Sequence, residues 1–572
     1  MPIKYVRAFI YLLFVAALLP APGRAQSMNA SIGGTVMDPT GAAVPNVQLT
    51  LTSVATGALS RATSGPDGAY TFQNLRPGIY ELKASASGFR DYIQRGIELT
   101  VKATMRQDVQ LQLGTALQTV EVTANASPLN FDNAEHKEGI TPATLADLPL
   151  LVSGLPRSSA SFAIINPGVN TGSTASPYSM RVNGGLRSGD EAVMDGASMQ
   201  EGFMSQSGMV AIFQDWPLTP DMISEIKILT SAYEPQYGST TSSVVIAVTK
   251  SGTNEFHGGG YDYMRNTWLN ARPWNAHNRV DNGVEVPDTA RPRDIEHDAG
   301  AFIGGPFKVG SHGVPGFWSG RKKSYFYVNY EAFRIHGGVT RPTLSIPSMK
   351  ERIGDFSDWV DASGNLIPIY DPATTRALDP TKPLSPTNVI RDQFMGCDGH
   401  TPNVICPSDP RLANSLAKQW FQFLPNPTSP GPTLNYLVPN PVPDTILSQT
   451  NYWLITGDQY IGDKDHVKIS IYYQGAPLKY ASELPTALAN ESNSAPQYTN
   501  IERANWDHTF SSNVLNHTTF GYLDRDEGYG CVDAAYVDKL PQIPGVAMYN
   551  VPPQIYLGGF TSMGACGAGR NA

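Results

Sequence analysis

Residues suited to covalent chemistry or metal binding are scarce in this chain. Four cysteines and ten histidines are spread over 572 residues. No His-Glu-x-x-His run occurs, and no Gly-x-x-x-x-Gly-Lys-Ser/Thr run occurs, so neither a zinc peptidase helix nor a phosphate loop is encoded. The glycine clusters at Asn183-Gly184-Gly185 and Gly258-Gly259-Gly260 lack a strand-loop-helix context and read as turns and closely packed strands. Only 16% of residues are charged, the net charge is -9 and no basic stripe stands out, which argues against nucleic-acid binding. Beyond the N-terminus there is no run of ~20 apolar residues, so no spanning helix is expected there. A barrel of ~10-residue alternating strands is not excluded by that absence.

What the chain does contain points to β-structure and an oxidising compartment. Gly (53), Pro (45) and Tyr (26) are abundant. Lys4 and Arg7 precede an apolar stretch from Ala8 to Leu19, and small residues flank a cut after Ala25, the pattern of a secretory signal over residues 1–25. Cys397 and Cys406 bracket the turn-rich segment CDGHTPNVIC, where a local disulfide is the natural reading outside the cytoplasm. His400 lies between them, but no second Cys/His pair completes a zinc spacing. Neither a metal nor a cofactor is expected.

From about Ser31 to Leu113 the pattern is that of a small β-sandwich. Val47, Leu49 and Leu51 alternate with polar neighbours, as do Tyr80, Leu82, Ala84 and Ala86, and then Val109, Leu111 and Leu113. Pro66-Asp67-Gly68 and Arg76-Pro77-Gly78 supply turns. The run GGTVMDPTGAAVPNVQLTLT followed by GPDGAYTFQNLRPGIYELKASASGF resembles the carboxypeptidase regulatory-like domain, placed over 28–115. That resemblance implies an immunoglobulin- or prealbumin-like sandwich grouped with carbohydrate-binding-like folds; the family name carries no peptidase activity. Sugar binding would use exposed aromatics, with Tyr70, Phe72, Tyr80, Phe89 and Tyr92 as candidates; core packing is the competing role for the same side chains.

The segment from Pro220 to Gly258, PDMISEIKILTSAYEPQYGSTTSSVVIAVTKSGTNEFHG, holds two strand-like apolar runs, Ile223 to Thr230 and Val244 to Val248. It resembles the end of the plug of TonB-dependent outer-membrane receptors, where the chain enters the barrel; Thr241-Ser242-Ser243 stands where that family commonly has a Gly-Gly pair. Upstream, Met180 to Gly185 and the Asp195-Gly196 turn resemble further plug strands, and Thr141-Pro142 with Leu145 to Leu151 resembles its early helix. A plug over 119–254 is implied. Val120, Glu121, Val122, Thr123 and Ala124 resemble the segment that pairs, by strand addition, with a TonB-type periplasmic energy-coupling protein. The same short pattern also suits an ordinary linker strand.

After Gly258, YDYMRNTWLNARPWN resembles the first barrel strand of Oar-like receptors. In Tyr325 to Arg334, Phe326, Val328, Tyr330 and Ala332 share one face and Tyr327, Asn329 and Glu331 the other. In His466 to Gln474, Val467, Ile469, Ile471 and Tyr473 alternate with Lys468, Ser470 and Gln474. An apolar row against lipid and a polar row against a lumen is what a spanning barrel needs, although a soluble half-buried sheet shares the period. A Pro-rich stretch from about 345 to 445 reads as a long, structureless extracellular loop, with Trp359, Trp420 and Phe421 as candidate ligand contacts or as loop packing.

The expected fold is therefore mainly β: a sandwich, an α+β plug and, over 255–572, an incomplete antiparallel transmembrane barrel. The expected function is a non-enzymatic outer-membrane receptor that binds an extracellular ligand, a saccharide, peptide or metal chelate, and imports it by plug rearrangement. The alternative is a surface carbohydrate-binding or adhesion protein without transport. A secreted hydrolase is disfavoured by the missing nucleophile and metal motifs. Removing the 345–445 loop from 255–572 leaves 217 positions, whereas twenty-two strands of ~10 residues need ~220 before any turn. The expectation is a fragment: the reading frame continues past Ala572 through alternating strands to a terminal aromatic. Sequencing downstream checks this, and a stop codon directly after Ala572 would overturn it.

Overall fold

The computed structural model describes residues 29–114, 119–123, 136–140, 218–231, 240–271, 294–307, 323–337, 343–361, 363–413, 415–438, 449–479, 494–511 and 514–529, with shorter stretches between and after them. The signal segment, the early-helix motif apart from Leu148, and Cys531 and Cys566 lie outside the described residues.

The N-terminal unit is a two-sheet sandwich. Its strands are β1 (Ala30–Met37), β2 (Gln48–Ser53), β3 (Leu59–Thr63), β4 (Ala69–Leu75), β5 (Gly78–Ser85), β6 (Asp91–Leu99), β7 (Thr104–Arg106), β8 (Val109–Gln110) and β9 (Thr119–Thr123). One sheet runs β4-β1-β7, with β8 also on β1; the other runs β3-β2-β5-β6-β9. The alternating residues Val47, Leu49, Leu51, Leu82, Ala84, Val109 and Leu111 are almost fully buried between them. The alternation ends sooner than the sequence suggests, because β8 stops at Gln110 and Leu113 is exposed. Tyr70, Phe72, Tyr80 and Tyr92 are core residues, so they present no surface to a sugar. Phe89 packs against the same core. Gly68 sits at φ 71 in the predicted turn and donates to Gly65 O, a conformation that disfavours side chains with a Cβ.

The middle unit contributes β10 (His136–Ile140), β11 (Val169–Asn170), β12 (Arg181–Val182), β13 (Glu191–Met194), β14 (Ala197–Ser198), β15 (Ile223–Ser231) and β16 (Val244–Thr249). Five of them form one sheet in the order β10-β15-β16-β13-β14, with β11 and β12 paired separately. The continuous apolar run of β16 is buried throughout, as a strand covered on both faces requires.

The third unit comprises β17 (His257–Asn266), β18 (Val280–Asp281), β19 (Val284–Glu285), β20 (Asp294–Pro306), β21 (Ser324–Gly337), β22 (Thr343–Leu344), β23 (Tyr436–Leu437), β24 (Gln449–Ile461), β25 (Asp465–Lys479), β26 (Ser494–Ser511), β27 (Val514–Tyr529) and β28 (Gly569–Asn571). Eight of these form an antiparallel sheet, β17-β20-β21-β24-β25-β26-β27-β28. Its inner row carries buried polar groups beside aromatic ones: Asn329 and Glu331 are fully buried, as are Ser470 and, nearly so, Lys468, alongside Tyr327, Phe333 and Tyr472. Its outer row is apolar and exposed, including Ile303, Ile455, Ile469, Ile471 and Phe520. A soluble sheet would bury the isoleucines and expose the charges; this inversion suits a wall with lipid outside and a polar filling inside.

The long stretch expected to be structureless is instead ordered among its described residues. Two short helices, α1 (Pro410–Ala413) and α2 (Leu416–Phe421), sit among turns and isolated bridges. Buried asparagines replace regular ladders. Asn403 Nδ2 donates to Ile367 O (2.7 Å), and its Oδ1 accepts from Ile369 N (2.8 Å) and Gln393 Nε2 (2.8 Å). Asn435 likewise ties Ile346 N and O. Leu344, Ile346, Trp420, Leu424 and Tyr436 then share a core with Leu484, Leu540 and Met563 from later connections at the same end of the sheet.

At the opposite end, the sandwich meets both other units. Asn254 N donates to Ala55 O and Tyr325 Oη to Thr56 O. Val101, two residues past β6, inserts its side chain among Val193, Leu229, Tyr237, Val244, Ile246 and Val248 of the middle unit. Its N–H donates to both carboxylate oxygens of Glu225 (3.0 and 2.8 Å), and Lys227 Nζ donates to its carbonyl. Burial pushes the Glu225 carboxyl up to about 7, against the Val101 bond and the Lys227 charge, which lower it, while Glu98 adds to the rise. Because the folded value lies above the ordinary 4.5, Glu225 stabilises this docking fully below pH 4.5 and progressively loses that contribution as pH rises through 7. Resistance of the sandwich–middle junction to proteolysis should therefore fall between pH 4.5 and 8, by at most about 3.5 kcal/mol at ~1.4 kcal/mol per unit. Glu225→Gln should flatten the profile; an unchanged slope in that variant would assign the dependence elsewhere.

Candidate functional site

The inner wall of the sheet and the middle unit are joined by three buried polar clusters. The first centres on Arg157. Its Nη2 donates to Asp221 Oδ2 (2.7 Å) and lies 3.4 Å from Glu331 Oε2, and its Nε donates to Asp298 Oδ2 (3.1 Å). The guanidinium stacks 3.8 Å from the Tyr263 ring centroid, and Tyr261 Oη donates to Glu331 (2.5 Å). Burial alone would lower the Arg157 pKa, but the Glu331, Asp298 and Asp221 carboxylates outweigh it and raise it. Arginine suits this site because its fork presents several donors at once.

The second cluster is built on the predicted Asp195-Gly196 turn, which joins β13 to β14 with φ values of 45 and 91. Asp195 accepts from Thr249 N (3.0 Å), Thr249 Oγ1 (2.6 Å), Lys468 Nζ (3.0 Å) and Ser470 Oγ (2.6 Å). Burial raises its pKa, yet the Lys468 ammonium and the hydroxyl bonds prevail and hold it below the usual range. Arg503 donates to Met194 O and Ser198 O, and Asn505 to Asp195 O, so β26 grips the backbone of the same hairpin.

The third cluster brings in the sandwich. Arg76 pairs with Asp458 and donates to Ser251 Oγ. His466 Nε2 lies 3.0 Å from Asp458 Oδ1, while Asp507 sits between His466 and His517. Asn29 donates to Asp507 Oδ1 (3.0 Å). Asn29, Arg76, His466, Asp507 and His517, with Asp195, Lys468 and Asn505, line a cavity of about 30 Å³, room for about one water.

The run Thr249-Lys250-Ser251-Gly252 threads through this junction. Lys250 O accepts from Thr456 Oγ1 (2.9 Å). A Cβ on Gly252 would lie 2.2 Å from Phe326 O, so only glycine lets the chain cross the β21 backbone here.

The residues singled out from sequence are not gathered at this junction. Val120 to Thr123 lie in β9, paired in parallel with β6, and Ala124 lies outside the described residues. Cys397 and Cys406 are joined as a disulfide in the ordered loop. Trp420 is buried and Phe421 half-buried beside an apolar cavity of about 190 Å³, and Trp359 packs on Phe560. Sequence reasoning missed Arg157, Asp298, Arg76 and Asp458. The usable signal was charge within a lumen-facing row, already visible at Glu331 and Lys468.

Replacing one member of a buried ionic cluster leaves its partners uncompensated, at a cost of about 3–5 kcal/mol. Arg157→Met should lower the thermal midpoint and expose the middle unit to protease. Adding Glu331→Gln should restore part of the loss. A single variant as stable as the parent would show that this cluster does not hold the middle unit.

Residues 248–571 match the model of the outer membrane beta barrel domain, and residues 31–112 that of the carboxypeptidase regulatory-like domain. The TonB-dependent transporter Oar of Myxococcus xanthus is 28% identical over 254 residues, covering 43% of this chain and 22% of that protein. The chain thus aligns with about a fifth of that relative's length. Among solved structures, the outer membrane transporter YddB of Escherichia coli superposes with a TM-score of 0.37 and 11% identity over 68% of this chain and 39% of that one. The siderophore receptor PirA of Acinetobacter baumannii gives 0.35 and 11% over 68% and 40%. On the family match, which spans more than half its length, this chain belongs to the outer membrane beta barrel family, is an Oar-like homologue of TonB-dependent transporters, and resides in the outer membrane.

Proposed function

We propose that the chain serves as a TonB-dependent receptor that binds an extracellular ligand and admits it by rearranging the middle unit, acting as a plug over about 119–254. The observation that carries this reading is the inverted wall: charged residues of the inner row close on the middle unit through Arg157, Asp195 and their neighbours. A water-filled pore would leave those groups hydrated, and a structural core would replace them with apolar side chains. No covalent step is required.

Two of the connections support one orientation. The turns from Ile461 to Asp465 and from Ser511 to Val514 are short and lie at the sandwich end. The long connections between β21 and β24, and between β27 and β28, lie at the other end. Barrels of the outer membrane keep short turns in the periplasm and long loops outside. The sandwich and β9 are then periplasmic, where a TonB-type partner operates, and the ordered loop with Trp359, Trp420 and Phe421 faces the ligand.

A Val120→Pro/Val122→Pro variant removes two backbone donors from the candidate coupling strand. In cells, the parent should cross-link to the TonB-type protein through a photoreactive residue at Thr123 and deplete one compound from the medium. The variant should do neither. If the parent itself neither cross-links nor changes the medium, the adhesion reading takes over.

A further inference from the structure

The strand proposed for energy coupling is not a free tether. β9 lies on the edge of the sandwich sheet, in parallel register with β6: Asp91 opposite Thr119, Tyr92 opposite Val120, Ile93 opposite Glu121, Gln94 opposite Val122 and Arg95 opposite Thr123. The sheet order ends at β9, and among the described residues no strand pairs with its outer side. An edge strand presents alternate N–H and C=O groups to whatever extended backbone approaches.

We propose that the sandwich presents β9 as a preformed edge, and that the periplasmic partner adds its own strand to the outer side of β9 without stripping it from β6. The proposal rests on the coupling role assigned above to this strand. Two routes are open to a strand-pairing partner. Displacement would break the ladder along all five register pairs and leave β6 as a raw edge, forfeiting each of those backbone bonds. Addition forgoes none of these bonds and needs no ordering of β9 at the moment of binding, which removes the entropic cost of fixing its backbone. The partner that fits is a protein with an extended strand at an open sheet edge; the product is one sheet running through the sandwich, β9 and the partner.

The test is a reversible staple between register partners: Ile93→Cys with Glu121→Cys, in a full chain carrying Cys531→Ser and Cys566→Ser. The probe is the purified periplasmic domain of the TonB-type protein, titrated onto the detergent-solubilised chain in oxidised and reduced forms. Addition predicts that the staple forms and that the two affinities agree within about twofold, under 0.5 kcal/mol. Loss of binding on oxidation by about tenfold or more, restored by reductant, would establish displacement and overturn the proposal. A staple that fails to form would show that β9 does not rest on β6. Binding by neither form, nor by the unstapled chain, would instead sink the coupling role itself.

Discussion

A wall with lipid on one side and charge on the other has only one place to satisfy that charge, and the rest of the structure follows from this. Glu331, Asp298, Asp458 and Lys468 are buried. A buried, unpaired ion is far too costly to keep, so each must meet a partner from within. Arg157, Asp195 and Arg76 are those partners. Apolar contact adds to the seating, since Tyr327, Phe333, Tyr452 and Tyr472 of the wall join Met194, Met222, Ile226 and Ile228 in one core. The polar contacts decide the position. An ion pair in low dielectric gains little net stability over an apolar filling, yet tolerates almost no misplacement. Such an interface fixes the middle unit in one register against the wall.

The residues that carried the family resemblance are also those through which the units communicate. Thr249 binds Asp195 and Lys468, Lys250 accepts from Thr456, Ser251 accepts from Arg76, and Gly252 crosses the backbone at Phe326. Small hydroxyl residues and a glycine are needed because the crossing leaves room for little else. The motif therefore has a local physical cause and is more than a mark of descent.

Period-two alternation made the strands legible, and the lipid and lumen rows of β21 and β25 could be assigned because polarity and period agree over eight or more residues. The Asp195-Gly196 turn was legible for a related reason: both residues adopt positive φ, which few residue pairs allow. Arg157 and Arg76 were not legible. Each is a single charge with no local pattern, and its partners lie 64 to 382 residues away. The sandwich aromatics failed as binding candidates because alternation places an aromatic on a face without saying that the face is covered. The long loop was misread because its order comes from asparagine side chains bonding backbone groups, and in a Pro- and Gly-rich stretch asparagine signals a turn. Its core also draws on Leu484, Leu540 and Met563, which no window of sequence joins to Trp420.

Contacts run without interruption from the candidate coupling strand to the sheet of the middle unit. β9 lies on β6; β6 ends at Leu99, and two residues later Val101 is clamped by Glu225 and Lys227 of β15. β15 pairs with β16, whose last residue, Thr249, binds Asp195 at the inner wall. Continuity of contact does not by itself establish coupling, but it ranks what yields under load. The Val101 clamp combines a fully buried side chain with bonds to both backbone groups of one residue, whereas Arg76, one of the sandwich's ionic ties to the wall, is partly solvated at its own side chain. Solvent screening weakens the second more than the first. The tie between the sandwich and the middle unit is therefore the less salt-sensitive of the two.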